Sequence, residues 1–224
     1  ELEEAVYLQT RIHQKLGDID EAITLLKKHT SDESSRSPLF YALLSSLYQA
    51  KGEHYTAMTV METAVSIYPD NHQLLFEYGL VLEKNGKPDK ALRIMQRVLE
   101  LQPDNAEALN YIGYTWADQN VHLAKALEYI LRANALKPDN GFIIDSLGWV
   151  YYRLGDLQQA ATQLERSLQL IPNDPHVYHH LGDVYRSLKN FPQAIKAYKK
   201  ALELFQDEEQ KTTIKQKIHA LENQ

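Results

Sequence analysis

Apolar residues along this chain recur at helical spacing, and the helical stretches themselves recur. Val6, Leu8, Ile12 and Leu16 mark the apolar positions of a helix near the start, and Ile214, Ile218 and Leu221 mark one face of another near the end. Between them large apolar residues return at a fixed interval, at Leu26, Met61, Met95, Ile130, Leu164 and Tyr198, and at Tyr48, Leu82, Trp116, Tyr151 and Tyr185. Small residues keep the same rhythm, as Ala22, Ala57, Ala91, Ala126, Ala160 and Ala194, and as Gly79, Gly113, Gly148 and Gly182. Bulky and small positions alternating on one clock predict paired helices whose backbones approach closely while large side chains fill the gap to the next pair.

The punctuation has the same period. Pro69-Asp70-Asn71, Pro103-Asp104-Asn105 and Pro138-Asp139-Asn140 lie 34 and 35 residues apart, and Pro172-Asn173-Asp174 follows 34 later. With these prolines at position 32 of a 34-residue unit, six units emerge: 3–36, 38–71, 72–105, 106–140, 141–174 and 175–208, with a final helix over 209–224. Alanine then falls at position 20 of all six, and glycine at position 8 of four. Gly17, Gly52, Gly86 and Gly155 fall at position 15, the turn between two helices, where glycine ends the first helix at no steric cost. Glycine at 8 is expected to face alanine at 20. Pro38 and Pro175 open helices, Pro88 and Pro192 lie in first turns of second helices, and Asn71, Asn105 and Asp174 are placed to cap the helices that follow. The fourth unit carries one extra residue in 117–122, read as a tolerated insertion with a contact loop as the alternative.

These residues resemble the tetratricopeptide repeat, whose pattern is W-x2-L-G-x2-Y…A-x3-F…P. Leu147-Gly148-Trp149-Val150-Tyr151 with Ala160, Leu164 and Pro172 matches it well, whereas the first unit has Gln9, Thr10 and His13 where Leu, Gly and Tyr belong. The resemblance covers nearly the whole chain. It implies an all-α fold, a right-handed α-solenoid of stacked helix-turn-helix repeats forming a single domain over 1–224, with a concave groove lined by the first helices and 209–224 as a cap. An amphipathic docking helix is the alternative for that last segment.

Composition narrows the function. The 224 residues carry 24 Lys+Arg against 30 Asp+Glu, a formal charge of −6, which offers no cationic surface for nucleic acid or for an anionic membrane. The longest apolar stretch, around Leu39 to Leu47, falls far short of a membrane span. The chain has no cysteine, which excludes disulfides, thiolate metal sites and cysteine nucleophiles and leaves the compartment open. No HExxH, GxSxG or phosphate-binding glycine loop is present, so no catalytic residue and no cofactor is assigned. His176, His179 and Asp183 share one helix face with His180 nearby. That spacing suits a transition metal, but the preferred reading is a peptide-contact surface with no metal. Glu1 enters directly into a helical pattern, which suggests an excised piece with further repeats upstream.

In resembling repeats, first-helix positions 2, 5, 9, 12 and 13 face the groove. Carried over, they make Phe76, Asn110, Tyr114, Phe142, Asp145, Trp149, Tyr152, His179 and Asp183 the candidate peptide-binding residues. Phe142, Trp149, Tyr152 and Tyr114 are expected as an exposed aromatic cluster, the alternative being rings wedged between helices, and Asn110 and Asp145 as contacts to a peptide backbone. The carboxylate clamp of the chaperone-binding subfamily is not matched, since position 5 runs Tyr7, Ala42, Phe76, Asn110, Asp145, His179 without lysine. The expected function is a non-catalytic protein- or peptide-binding scaffold or adaptor. The alternative is the regulatory or substrate-recruiting arm of an enzyme whose catalytic domain lies elsewhere. The runs Ala108–Thr115, Ile144–Gly155 and His180–Val184 further resemble bacterial envelope repeat proteins, including outer-membrane lipoproteins that serve as protease adaptors. That resemblance implies a periplasmic, outer-membrane-attached adaptor rather than a cytoplasmic one; the oligomeric state is not specified.

Overall fold

The computed structural model describes residues 1–223, and all thirteen regular elements among them are α-helices. The packing divides the chain into two compact units, Glu1–Pro103 and Asp104 to the C-terminus.

The first unit holds α1 (Leu2–Leu16), α2 (Ile19–Ser31), α3 (Pro38–Ala50), α4 (His54–Ile67), α5 (His72–Lys84) and α6 (Pro88–Leu101). Each odd-numbered helix pairs with the one that follows, and α2 and α4 also pack on α3 and α5. Val6, Ala22, Leu26, Phe40, Leu44 and Leu47 form one continuous core across the first two pairs. The second unit holds α7 (Ala106–Asp118), α8 (Leu123–Leu136), α9 (Gly141–Leu154), α10 (Leu157–Leu170), α11 (Pro175–Ser187), α12 (Phe191–Leu204) and α13 (Glu208–Glu222). There α8 packs on α9, α10 on α11 and α12 on α13. Ile214, Ile218 and Leu221 of α13 are buried with Phe205, Tyr198 and Ala201, so this helix covers the end of the core of the last pair.

The glycine at position 8 makes the close approach, but it meets a different partner from the one expected. A Cβ on Gly79, Gly113, Gly148 or Gly182 would lie 2.6, 2.6, 2.6 or 2.4 Å from Met95, Ile130, Leu164 or Tyr198, the large residues at position 24. The alanine of position 20 contributes its backbone carbonyl, at 3.0 Å for Ala126 and 3.2 Å for Ala160. Glycine therefore makes room for the large residue of the second helix, and the buried alanine allows that helix to come near.

The turns follow one backbone recipe. Gly17, Gly52, Gly86 and Gly155 have φ of 84, 76, 67 and 84°, and the equivalent Asn120 and Lys189 adopt φ of 58 and 60°. In the fourth pair the extra residue adds a second left-handed position at His122, whose ring packs edge-on against Trp116 at 5.5 Å. Between pairs, Asn71, Asn105, Asn140 and Asp174 each accept backbone N–H groups of the next helix, as Asn71 Oδ1 does from Leu74 at 3.0 Å. The Asp of the Pro-Asp-Asn turn is also used: Asp70 pairs with Arg97 at 2.8 Å and Asp104 with Arg132 at 3.2 Å.

Candidate functional site

The second unit places most of the candidate residues on the first helices of its repeats, α7, α9 and α11, and ties several of them together. Asp145 and Trp149 lie one turn apart on α9, and both reach His180 on α11. Asp145 Oδ1 is 2.9 Å from His180 Nδ1, and the Trp149 ring stacks on the imidazole at 4.3 Å between centroids. Tyr152, a further turn along α9, stacks on the other part of Trp149 at 5.0 Å, and Tyr114 of α7 stands 6.3 Å from His180. The His180 ring is thus enclosed by aromatic side chains from two helices. Burial works to lower its pKa, but the Asp145 carboxylate and its hydrogen bond outweigh that and hold it above the ordinary imidazole value. A His–Asp pair so enclosed acts as a buried tie between α9 and α11. The same burial, with Asp118 and Asp145 nearby, pushes the Tyr114 phenol up.

The neighbouring cluster joins α11 to α12 and α13. Lys217 Nζ of α13 donates to both oxygens of Asp183, at 2.7 and 2.8 Å, and to His179 Nε2 at 2.6 Å. The Tyr198 hydroxyl donates to Asp183 Oδ1 at 2.6 Å. His179 therefore accepts through Nε2 and is neutral; burial and the adjacent ammonium push its pKa down to about 4. Burial alone would raise the Asp183 pKa, but Lys217 holds the carboxyl below its usual value. The place a metal would occupy between His179 and Asp183 is filled by the Lys217 ammonium. Among the described residues no group of three His, Asp or Glu side chains is arranged to hold a metal ion.

The aromatic residues are less exposed than expected. Of the four, Phe142 is 59% exposed, whereas Trp149 is only 7% exposed, and Tyr114 and Tyr152 are half-buried. Trp149 stacks against both Tyr152 and His180, the wedged arrangement. Asp145 is buried and its Oδ1 is engaged by His180. Two polar atoms on the same helices are buried without a hydrogen-bond partner among the described residues: Asn110 Oδ1 on α7 and Trp149 Nε1 on α9. Phe76 is half-buried on α5 in the first unit. There a shallow cleft of about 280 Å³ runs past Glu3, Leu39, Ala42, Gln73 and Glu77.

Sequence reasoning singled out His180 only as one of a histidine cluster and missed Lys217 as a partner of the site. Lys217 lies 34 residues after Asp183, so aligning α13 as one more first helix places both at the same repeat position. That register was the available signal.

Comparison with known proteins agrees with this architecture. Sequence models of the tetratricopeptide repeat match residues 39–71, 76–141 and 175–208, and a TPR repeat model matches 148–188. The TPR repeat-containing protein PA4667 of Pseudomonas aeruginosa is 34% identical over 165 residues, covering 74% of this chain and 28% of that protein. The cellulose synthase operon protein C of Pseudomonas fluorescens is 39% identical over 69 residues, 31% of this chain and 5% of its own length. The chain thus spans less than a third of either relative. A tetratricopeptide repeat protein from Parabacteroides merdae superposes with a TM-score of 0.79 at 16% identity, covering 98% of this chain and 86% of that one. A thermophilic TPR protein of Thermus thermophilus gives 0.67 at 21% identity, over 81% of this chain and 99% of that one. At these identities the two structures speak for the fold alone. The helix pairs, the glycine and alanine positions, the turns and the matched segments together identify this chain as one built of tetratricopeptide repeats.

Proposed function

We propose that this chain is a non-catalytic protein- or peptide-binding scaffold, and that its contact surface in the second unit is the first-helix face of α7, α9 and α11. Proteins of this repeat class serve as protein-interaction scaffolds. One observation carries the choice of face. Phe142 of α9 presents a ring 59% exposed on this face, an apolar anchor of the kind that carries binding energy. An extended peptide laid beside it offers one donor and one acceptor per residue to the half-buried Asn110, Tyr114 and Tyr152.

In this reading Phe142, Asn110, Tyr114, Tyr152 and His179 contact the partner, while Asp145, Trp149 and Asp183 hold the face in shape. Phe76 stands at the repeat position of Asn110 and serves as an apolar contact in the first unit. The mixed signs of the neighbouring charges favour a hydrophobic or mixed peptide over a purely charged one. A narrower form is an adaptor of the bacterial envelope, periplasmic and attached to the outer membrane. The envelope-type runs in the sequence support it.

The test is affinity capture from separate envelope and cytosolic extracts, using the wild-type chain and a Phe142→Ala, Asn110→Ala variant of unchanged melting. A partner captured from the envelope fraction and lost with the variant is the expected result. A partner held equally by both proteins would contradict the face, and one supplied only by the cytosol would contradict the envelope form.

A further inference from the structure

Phe142 and Arg153 stand about three turns apart on α9, so they share one face of that helix and lie about 16 Å from each other along it. The Phe142 ring is exposed, and the half-buried Arg153 holds its guanidinium 5.7 Å over the Trp149 ring. A second guanidinium arrives at the Arg153 end from α11. Arg186, its side chain 41% exposed, lies against Tyr152, whose hydroxyl is 3.4 Å from Ser187 Oγ. One end of the face therefore presents an apolar ring and the other presents two arginines.

The nearby carboxylates leave those two charges largely unneutralised. Asp145 is matched by His180 at 2.9 Å, and Asp183 by Lys217 at 2.7 and 2.8 Å, so that Asp183 approaches Arg186 only to 3.5 Å. Among the described residues Arg153 is in no ion pair, and its contact is the Trp149 ring. Asp118 of α7 acts on Tyr114 and His180.

We infer that Arg153 and Arg186 select a carboxylate, so that the partner segment carries an acidic side chain four to six residues from the apolar residue that meets Phe142. The inference rests on the reading of this face as the contact surface. An extended chain advances about 3.3 Å per residue, and that spacing brackets the distance from Phe142 to Arg153. A guanidinium meets a carboxylate through two parallel N–H donors. Stacking on Trp149 and contact with Tyr152 hold the two arginines before the partner arrives, which lowers the cost of ordering them. The chain as a whole carries a charge of −6, so attraction for an acidic segment is local to this pair.

The test is an array of short Gly/Ser peptides with one leucine fixed and one glutamate walked along the chain, probed with the wild-type protein and with variants of unchanged melting. Binding is expected to peak with glutamate four to six positions from leucine and to weaken with added salt. Arg153→Gln with Arg186→Gln should lower that peak on the order of tenfold, to the level of the peptide with glutamine in place of glutamate. Arg153→Gln alone breaks no ion pair within the chain and should lower it in part. Phe142→Ala should weaken every leucine peptide, with or without glutamate. Leucine peptides that need Phe142 but are indifferent to glutamate would overturn this inference and leave the face standing. Binding that ignores Phe142, or no binding at all, would overturn the face and this inference with it.

Discussion

Lys217 of the last helix holds the carboxylate of Asp183 with hydrogen bonds of 2.7 and 2.8 Å, across 34 residues of sequence and at the same position of successive repeats. Asp183 is 5% exposed; it also accepts from the Tyr198 hydroxyl at 2.6 Å and lies 3.5 Å from the Arg186 guanidinium. The last helix thus both closes the apolar end of the second unit, through Ile214, Ile218 and Leu221, and neutralises a charge buried there.

Removing the ammonium should therefore cost more than a surface substitution. Lys217→Ala is expected to destabilise the chain by about 2 kcal/mol, because buried Asp183 loses its nearest counter-charge and keeps only the more distant Arg186 guanidinium at 3.5 Å. Urea denaturation of the variant measures this. Asp183→Asn with Lys217→Ala should recover part of the loss, since the buried charge is then gone. A cost below a few tenths of a kcal/mol would show that Arg186 or solvent compensates Asp183.

The two adjacent histidines should titrate in opposite senses. His179 has its pKa pushed down to about 4, from an ordinary 6.5, while His180 is raised above 6.5. As pH falls from 6.5 towards 4, the unfolded chain takes up a proton that folded His179 refuses, so its contribution to stability shrinks over that window. His180 behaves in reverse: its contribution is fully present below 6.5 and is lost as pH rises through its folded pKa. An NMR titration of the imidazole resonances checks both. In Asp145→Asn the His180 titration should move down, because the carboxylate is what raises it.

A methyl group added at the close-approach glycines should be tolerated unequally. In Gly182→Ala the new Cβ lies 2.4 Å from the ring of Tyr198, which is fully buried and rigid, so a loss of about 1–3 kcal/mol is expected. In Gly79→Ala the nearest atom is the terminal methyl of Met95 at 2.6 Å, which can swing aside. Alanine also gains about 1 kcal/mol of helix propensity over glycine. Gly79→Ala should thus melt near the wild type and Gly182→Ala well below it.

Trp149 and Phe142 should separate stability from contact. Trp149 packs against two rings and is 7% exposed, so Trp149→Ala is expected to cost about 3 kcal/mol or more in chemical denaturation. Phe142 is 59% exposed, and Phe142→Ala should leave melting within about 0.5 kcal/mol of the wild type. Equal melting of both variants would show that Trp149 is not part of the core.

Much of the fold was legible because a repeat states each structural requirement several times. The alanines of position 20 and the left-handed residues of position 15 come from backbone geometry that every pair shares, and even Asn120 and Lys189 are readable once the glycines around them set the register. The site was harder to read. Which side of Trp149 faces solvent depends on His180 from the next repeat, and the state of Asp183 depends on Lys217, whose repeat position the 34-residue register gives but whose pairing it does not. Repeat positions say which side chains share a face. They do not say which of those side chains satisfy one another.

If a partner binds the α7, α9 and α11 face of the second unit, a photo-crosslinking phenylalanine analogue at position 142 on that face should capture it, and one placed separately at Lys196 on the second helix α12 should not. With irradiation in envelope and cytosolic extracts, a discrete crosslinked partner from position 142 and none from position 196 is the expected result. A partner crosslinked from position 196 alone would contradict it and move the binding surface to the second helices.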